Sequence, residues 1–116
     1  MAYLVRLTDA NFEREVFQSE IPLLVHLWAS WCPPYKMVEP TVRELAEEHD
    51  GKTKVGKLHV DQNSKTASSY HIMGVPTFVL ANSGKEVERG VGAQPKRQLN
   101  QMVSEALGRG SRGTEE

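Results

Sequence analysis

The sequence predicts an α/β domain in which a mixed central sheet is flanked by helices on both faces. Two nearly continuous apolar runs, at 23–29 and 75–81, have the composition of central strands that are buried on both faces. A third core strand is predicted at 54–60, and helical patterns separate the three strands along the chain. The resulting order, β-α-β-α-β-α-β-β-α, describes a single mixed sheet with helices packed against it.

The N-terminal half has one signal for each of its elements. A loosely alternating segment at 3–7 suits a short strand, and Thr8 or Asp9 can cap the helix that follows it. The apolar run that begins after Pro22 is the first central strand. A long helical pattern then continues to about His49.

The C-terminal half continues in the same way. After the strand at 54–60, Asp61 or Asn63 can cap a short helix that extends to about 70. The apolar strand at 75–81 is joined by a tight turn to an antiparallel partner at 86–91. The last helix has the most regular apolar spacing of all, at Leu99, Met102, Val103, Ala106 and Leu107.

Length and composition indicate one globular domain. The chain has 116 residues, of which 39% are hydrophobic and 25% charged, and its formal net charge is −1. Since basic residues are not clustered and no apolar run spans a bilayer, we expect neither a nucleic-acid partner nor a membrane partner. No secretion signal is recognisable at the start, which predicts a cytoplasmic location. Gly108 is expected to end the last helix, giving a domain at 1–108 and a flexible tail at 109–116.

The chain contains a single cysteine, Cys32, which excludes an intramolecular disulfide and an all-cysteine metal site within one chain. A lone cysteine is more often a small buried hydrophobe than a nucleophile. Here, however, Cys32 falls at the predicted start of a helix, where unpaired N–H groups favour the thiolate. Pro33 and Pro34 stiffen that turn and remove competing donors, and Trp31 adds an apolar surface. The local context therefore favours a reactive, exposed thiol.

The segment Trp31-Cys32-Pro33-Pro34, which follows a buried strand and opens a helix, resembles the active-site segment of the thioredoxin family. The resemblance extends over roughly residues 3–107, nearly the whole predicted domain. It implies the thioredoxin fold and Cys32 as the nucleophile. The further matches at family spacing are Phe12, Trp28-Ala29, Lys36-Met37, Pro40, Lys57, Asp61-Gln62-Asn63, Gly74-Val75-Pro76-Thr77, Gly84 and Gly92.

The resemblance also implies a substrate groove. Pro76 matches the family's cis-proline, which lies opposite the active-site cysteine and lets the backbone of Val75 pair with an extended substrate. Gly92 would belong to the same groove. The alternative is an ordinary trans proline at the edge of a strand.

Two departures from the family pattern limit what the resemblance implies. Tyr35 stands where the family has its second cysteine, so the motif is Cys-Pro-Pro-Tyr, and His26 stands where it has a buried aspartate. Tyr35 cannot resolve a mixed disulfide; it either marks a single-cysteine mechanism, fills space, or is an engineered change. His26 would neighbour Lys57 without an acid, which favours neutral imidazole; alternatively, it is a core histidine satisfied by a carbonyl or a water.

These observations favour a monothiol exchange protein over a full dithiol reductase. Its partners would be protein or small-molecule thiols and disulfides, and an external thiol would resolve the mixed disulfide at Cys32. One alternative is a non-catalytic peptide-binding module with the same fold, and another is a dimer bridged by an iron–sulfur cluster. We expect no cofactor and no metal site, and a monomer that can form a Cys32-linked dimer under oxidising conditions.

Overall fold

The structure is a computed structural model that describes residues 4–31 and 34–112, with the backbone alone at 34–37 and 108–112. Within these residues the strands are β1 (Val5–Leu7), β2 (Leu23–Trp28), β3 (Lys54–His59), β4 (Thr77–Asn82) and β5 (Lys85–Val91). They form one sheet in the order β1-β3-β2-β4-β5. β1, β3 and β2 are parallel, β4 is antiparallel to β2, and β5 is antiparallel to β4. The predicted mixed sheet is confirmed.

The helical elements of the described residues are a π-helical turn at Glu13–Phe17, α1 (Pro34–Glu48), α2 (Ser64–Ser69) and α3 (Lys96–Arg112). Two apolar clusters cover the two faces of the sheet. Leu24 and Phe78 pack with α1 and α3, whereas Val25 and Val79 pack with the π-helical turn. Successive residues of a strand thus lie on opposite faces of the sheet, as the alternation of side chains along a strand requires. Helices lie on both faces, as predicted.

Two predicted element boundaries were wrong. β4 begins at Thr77 and not at Val75, because Pro76 has no N–H group to donate to the ladder. α3 continues past Gly108 to Arg112. A glycine inside a helix is only about 1 kcal/mol less favourable than alanine, so without a following proline it does not by itself end a helix. The last residues of the predicted tail, 113–116, lie outside the described residues.

The N-terminus of α2 is capped from a distant part of the chain. The carboxylate of Asp9 accepts hydrogen bonds from the backbone N–H groups of Thr66 at 2.8 Å and Lys65 at 3.3 Å. Burial raises the pKa of Asp9, but these hydrogen bonds and the charge of Lys65 outweigh it and hold the pKa below its ordinary value. Asn63 precedes α2 but makes no capping hydrogen bond; its side chain instead bonds the backbone of Asp9 and His59. Asn63 thus occupies the N-cap position, as predicted, but the side chain that bonds the free N–H groups of the helix is that of Asp9.

Candidate functional site

The candidate site follows the carboxyl end of β2, where the chain passes into α1. Trp31 is 65% exposed there, and its indole Nε1 donates a hydrogen bond to Asp61 Oδ2 at 2.5 Å. This bond ties the loop after β2 to the loop after β3. It fixes the indole beside the start of α1 while leaving most of the ring open to solvent.

The central predicted residues, Cys32 and Pro33, lie outside the described residues. The backbone of α1 begins at Pro34, two residues after Cys32 in the sequence, and Tyr35 is in the first turn of that helix. The side chains of Pro34 and Tyr35 also lie outside the description. In the sequence, Cys32 therefore lies two positions before a helix of 15 residues, whose backbone the structure describes.

The loop before β4 and the residue after β5 come together. The Val75–Pro76 peptide bond is cis. The backbone N–H of Gly92 donates to the carbonyl oxygen of Pro76 at 2.7 Å, and Gly92 has a φ of +90°, a left-handed conformation that favours glycine. The structure thus brings the three predicted groove residues together, with Val75 and Gly92 half-buried and Pro76 buried.

Val75 and Trp31 share a shallow pocket of about 290 Å³, which we call the Trp31 pocket. It is lined by Trp31, Val60, Asp61, Ala67, Ile72, Met73, Gly74 and Val75. Met73 is 92% exposed and Val91, next to Gly92, is 62% exposed. Sequence reasoning missed Met73 and Val91. The sequence could have indicated both residues, because each is apolar and directly precedes a segment that the resemblance assigns to the groove.

His26 is fully buried on β2 and stacks on Phe78, with ring centroids 5.0 Å apart and planes 7° from parallel. Among residues 4–31 and 34–112, neither Nδ1 nor Nε2 of His26 has a hydrogen-bond partner. The alternative that a carbonyl satisfies this imidazole is therefore wrong for the described part of the chain. Burial and the charge of Lys57 lower the pKa of His26 to about 4, against a smaller opposing effect of Glu39. The ring is neutral at pH 7.

Lys57 lies beside His26 in the register of β2 and β3, as the resemblance implied. The expectation that the two would meet without an acid was wrong. Lys57 Nζ forms an ion pair with Glu39 Oε1, and the two side chains are only 19% and 22% exposed. Lys57 Nζ also lies 5.1 Å from the ring centroid of Trp28. Glu39 could have been suspected, since it is three residues before the core residue Val42 and so borders the apolar face of α1.

The described structure has neither a metal-binding cluster nor a membrane-spanning helix. Within that part of the chain, no group of three or more His, Cys, Asp or Glu residues is arranged to hold a metal ion. None of the described helices combines the length and the apolar character that crossing a membrane requires.

Comparison with known proteins agrees with the fold. The family model described as Thioredoxin matches residues 3–105. The chain belongs to the thioredoxin family. It is 41% identical to Thioredoxin 1 of Nostoc sp. over 107 residues, which is 92% of this chain and 100% of that protein.

Other thioredoxins are similar to this family member to the same degree. The chain is 44% identical to the thioredoxin of Alicyclobacillus acidocaldarius over 101 residues, which is 87% of this chain and 95% of that protein. It is 40% identical to the thioredoxin of Haemophilus influenzae, covering 92% of this chain and 100% of that protein. With a single cysteine, this chain cannot close a disulfide within itself.

Proposed function

We propose that this thioredoxin-family protein is a monothiol exchange protein, in which Cys32 forms mixed disulfides that an external thiol resolves. One observation carries the proposal. The family's fold is complete, yet the chain has a single cysteine, placed two residues before α1, with Tyr35 in the first turn of that helix. The partners are protein or small-molecule thiols and disulfides.

The proposed chemistry has two exchange steps. In the first, the Cys32 thiolate attacks one sulfur of a partner disulfide, a new S–S bond forms, and the other partner sulfur leaves as a thiolate. In the second, the thiolate of an external thiol such as glutathione attacks the mixed disulfide on the partner sulfur. Cys32 leaves as a thiolate, and the partner carries the external thiol. No net oxidant is needed, since each step breaks one S–S bond and makes another.

The charges around the site support a reactive thiolate. The unpaired N–H groups and the dipole at the start of α1 favour a negative charge on a residue placed there. Of the residues that the resemblance places beneath the site, His26 is neutral and Lys57 is paired with Glu39, so these three side chains add no net negative charge that would raise the thiol pKa. A lowered pKa is what makes a cysteine nucleophilic near neutral pH.

The surroundings of the site support the docking of an extended partner. Trp31 and Met73 are exposed apolar side chains beside the Trp31 pocket, while Val75, Pro76 and Gly92 adjoin them. In this proposal the apolar rim binds partner side chains, and the segment at Val75 meets the partner backbone. Such a surface holds the partner while its disulfide is exchanged.

The deciding measurement is the pKa of Cys32, obtained from the pH dependence of its alkylation rate by mass spectrometry. The proposal expects a pKa near 7 or below, with fast modification, against an ordinary cysteine value of roughly 8.5. It also expects little insulin reduction with thioredoxin reductase alone. A pKa at or above the ordinary value, or turnover equal to that of a dithiol thioredoxin, would contradict the mechanism.

A second candidate is a peptide-binding module in which Cys32 takes no part. The observation that favours it is the exposed apolar rim, since Met73 at 92% exposure needs no redox partner to be useful in binding. Cys32→Ser separates the two candidates. Monothiol exchange predicts that covalent capture of a disulfide-bearing peptide disappears, whereas the binding module predicts unchanged affinity for the same peptide with its cysteines replaced.

The mechanism also sets the expected surroundings and assembly of the protein. A reducing compartment such as the cytoplasm would supply the external thiol that the second step consumes. Without that thiol, two chains can join through Cys32. Non-reducing electrophoresis after oxidant treatment should show a dimer that disappears with reductant, and a monomer throughout would contradict this expectation.

A further inference from the structure

A second and larger cavity, of about 480 Å³, adjoins the same two loops that form the Trp31 pocket. Ser30 and Gln62 line this cavity, whereas their sequence neighbours Trp31 and Asp61 line the other. We call it the Arg6 cleft. The described residues that line it are Leu4, Arg6, Leu7, Trp28, Ser30, Lys57, His59, Gln62 and Asn63.

The Arg6 cleft lies at the carboxyl ends of the three parallel strands. β1 ends at Leu7, β2 at Trp28 and β3 at His59, and all three residues line the cleft. Arg6 and Lys57 are directly opposite each other in the parallel pairing of β1 and β3, so their side chains leave the same face of the sheet. Open α/β sheets bind ligands in crevices outside the carboxyl ends of their strands.

The charge of the cleft is positive. Of the described residues that line it, none is acidic, and two carry a positive charge, Arg6 and Lys57. The charge of Lys57 is already balanced by Glu39. Arg6 is exposed and has no ion-pair partner in the described portion of the chain. The guanidinium of Arg6 is therefore the group that an incoming anion would neutralise, and its planar donor pair matches phosphate and carboxylate oxygens.

The remaining walls divide into an apolar part and a polar part. Leu4, Leu7 and Trp28 supply the apolar part, and Trp28 is held in place by edge-to-face contact with His59, with ring centroids 4.4 Å apart. Ser30 and Gln62 are exposed polar side chains at the mouth. A pocket of several hundred Å³ that combines an apolar wall with a few polar groups is the usual form of a small-molecule site.

We propose that the Arg6 cleft binds a small organic anion, whose phosphate or carboxylate group pairs with Arg6 and whose apolar body packs against Leu4 and Trp28. This site is separate from the thiol exchange proposed for Cys32 and does not depend on it. Because the loops after β2 and β3 border both the Arg6 cleft and the Trp31 pocket, the bound anion lies next to the residues that hold Trp31. Phosphate and carboxylate probes distinguish the two possible anionic groups.

The test is a titration followed by ¹H–¹⁵N NMR, with phenyl phosphate and benzoate as probes that combine an anion with an apolar body. Inorganic phosphate and benzyl alcohol serve as probes of each part alone. We expect saturable binding of phenyl phosphate, benzoate or both in the roughly millimolar range or tighter, with the largest shifts at Arg6, Ser30, His59 and Gln62. The single-part probes should bind at least about tenfold more weakly.

The variant Arg6→Gln keeps most of the side-chain length but removes the charge, and should weaken binding by about tenfold or more. Arg97→Gln is the matched control, because Arg97 is an exposed arginine on α3, outside the cleft, and its loss changes the net charge equally. Equal melting temperatures establish that both variants are folded. Absence of saturable binding, equal weakening by the two variants, or shifts centred on Trp31 and Met73 would each overturn the proposal.

Discussion

Acidification should destabilise this protein through His26. The unfolded chain protonates this imidazole near the ordinary pKa of 6.5, whereas burial, helped by Lys57, keeps it neutral in the folded protein until about pH 4. Between these two values the unfolded state binds more protons than the folded state. The stability that depends on neutral His26 is therefore fully present above about pH 6.5 and is lost progressively as the pH is lowered towards 4.

The size of the effect follows from the two pKa values. Since one pKa unit corresponds to about 1.36 kcal/mol, the interval from 6.5 to about 4 gives a loss of about 3 kcal/mol by pH 4. That is a large part of the roughly 5–15 kcal/mol by which small domains are stable. Carboxylates such as Asp9, whose pKa is lowered, also lose stability on acidification, so the contribution of His26 has to be isolated by substitution.

The assay is urea unfolding at pH 7, 6, 5 and 4 of the parent protein and of His26→Leu. Leucine fills similar space beside Phe78 and removes two buried nitrogens that lack partners among the described residues. We therefore expect the variant to be at least as stable at pH 7, and to lose about 3 kcal/mol less on going to pH 4. His71→Asn is the control: it removes an exposed imidazole at a φ of +54°, which asparagine tolerates. Equal losses in the parent and His26→Leu, to within about 0.5 kcal/mol, would refute the reasoning.

Three further predictions concern the site and its supports. Tyr35→Cys supplies a second thiol at the position where the family has one, but should leave insulin reduction with thioredoxin reductase well below that of a dithiol thioredoxin, because His26 stands where the family has its buried aspartate; turnover equal to that of a dithiol thioredoxin would contradict this reasoning. Glu39→Gln removes the carboxylate that pairs with the partly buried Lys57, and should lower the free energy of unfolding by about 1–3 kcal/mol in urea unfolding. The control, Glu44→Gln, removes an exposed carboxylate and should change this free energy by less than about 0.5 kcal/mol. Equal effects of the two variants would contradict the assigned pairing. Asp9→Ala removes the cap of α2 and should cost about 1 kcal/mol in the same assay, with faster amide exchange at Lys65 and Thr66; unchanged exchange there would argue against capping by Asp9.

The elements that the sequence predicted correctly are those whose signal is local. The continuous apolar run at 23–29 and the spacing of Leu99, Met102 and Val103 follow directly from which faces are buried, so both became the expected strand and helix. What the sequence did not predict depends on contacts between distant residues. Asp9 caps a helix that begins 55 positions later in the chain, and no local pattern distinguishes it from Asn63, which precedes that helix.

His26 and Lys57, which the resemblance places beneath Cys32, show the same limit of sequence-based prediction. The sequence indicated that His26 had replaced an acid beside Lys57, but only the folded chain shows that Glu39 from α1 supplies one. Lys57 is thus neutralised by an acid that comes from a helix and not from the strand.

Neither His26 nor Glu39 is poised to act as a strong base at neutral pH. His26, with a pKa of about 4, holds a proton less readily than a free imidazole, and the carboxylate of Glu39 is engaged by Lys57. The resemblance implies that, in a dithiol mechanism, the family's buried aspartate helps to take the proton of the second thiol. An external thiol ionises in water before it attacks, so monothiol exchange does not need this help. The arrangement of His26, Lys57 and Glu39 therefore fits the proposed two-step chemistry at Cys32 better than a site that has only lost its second cysteine.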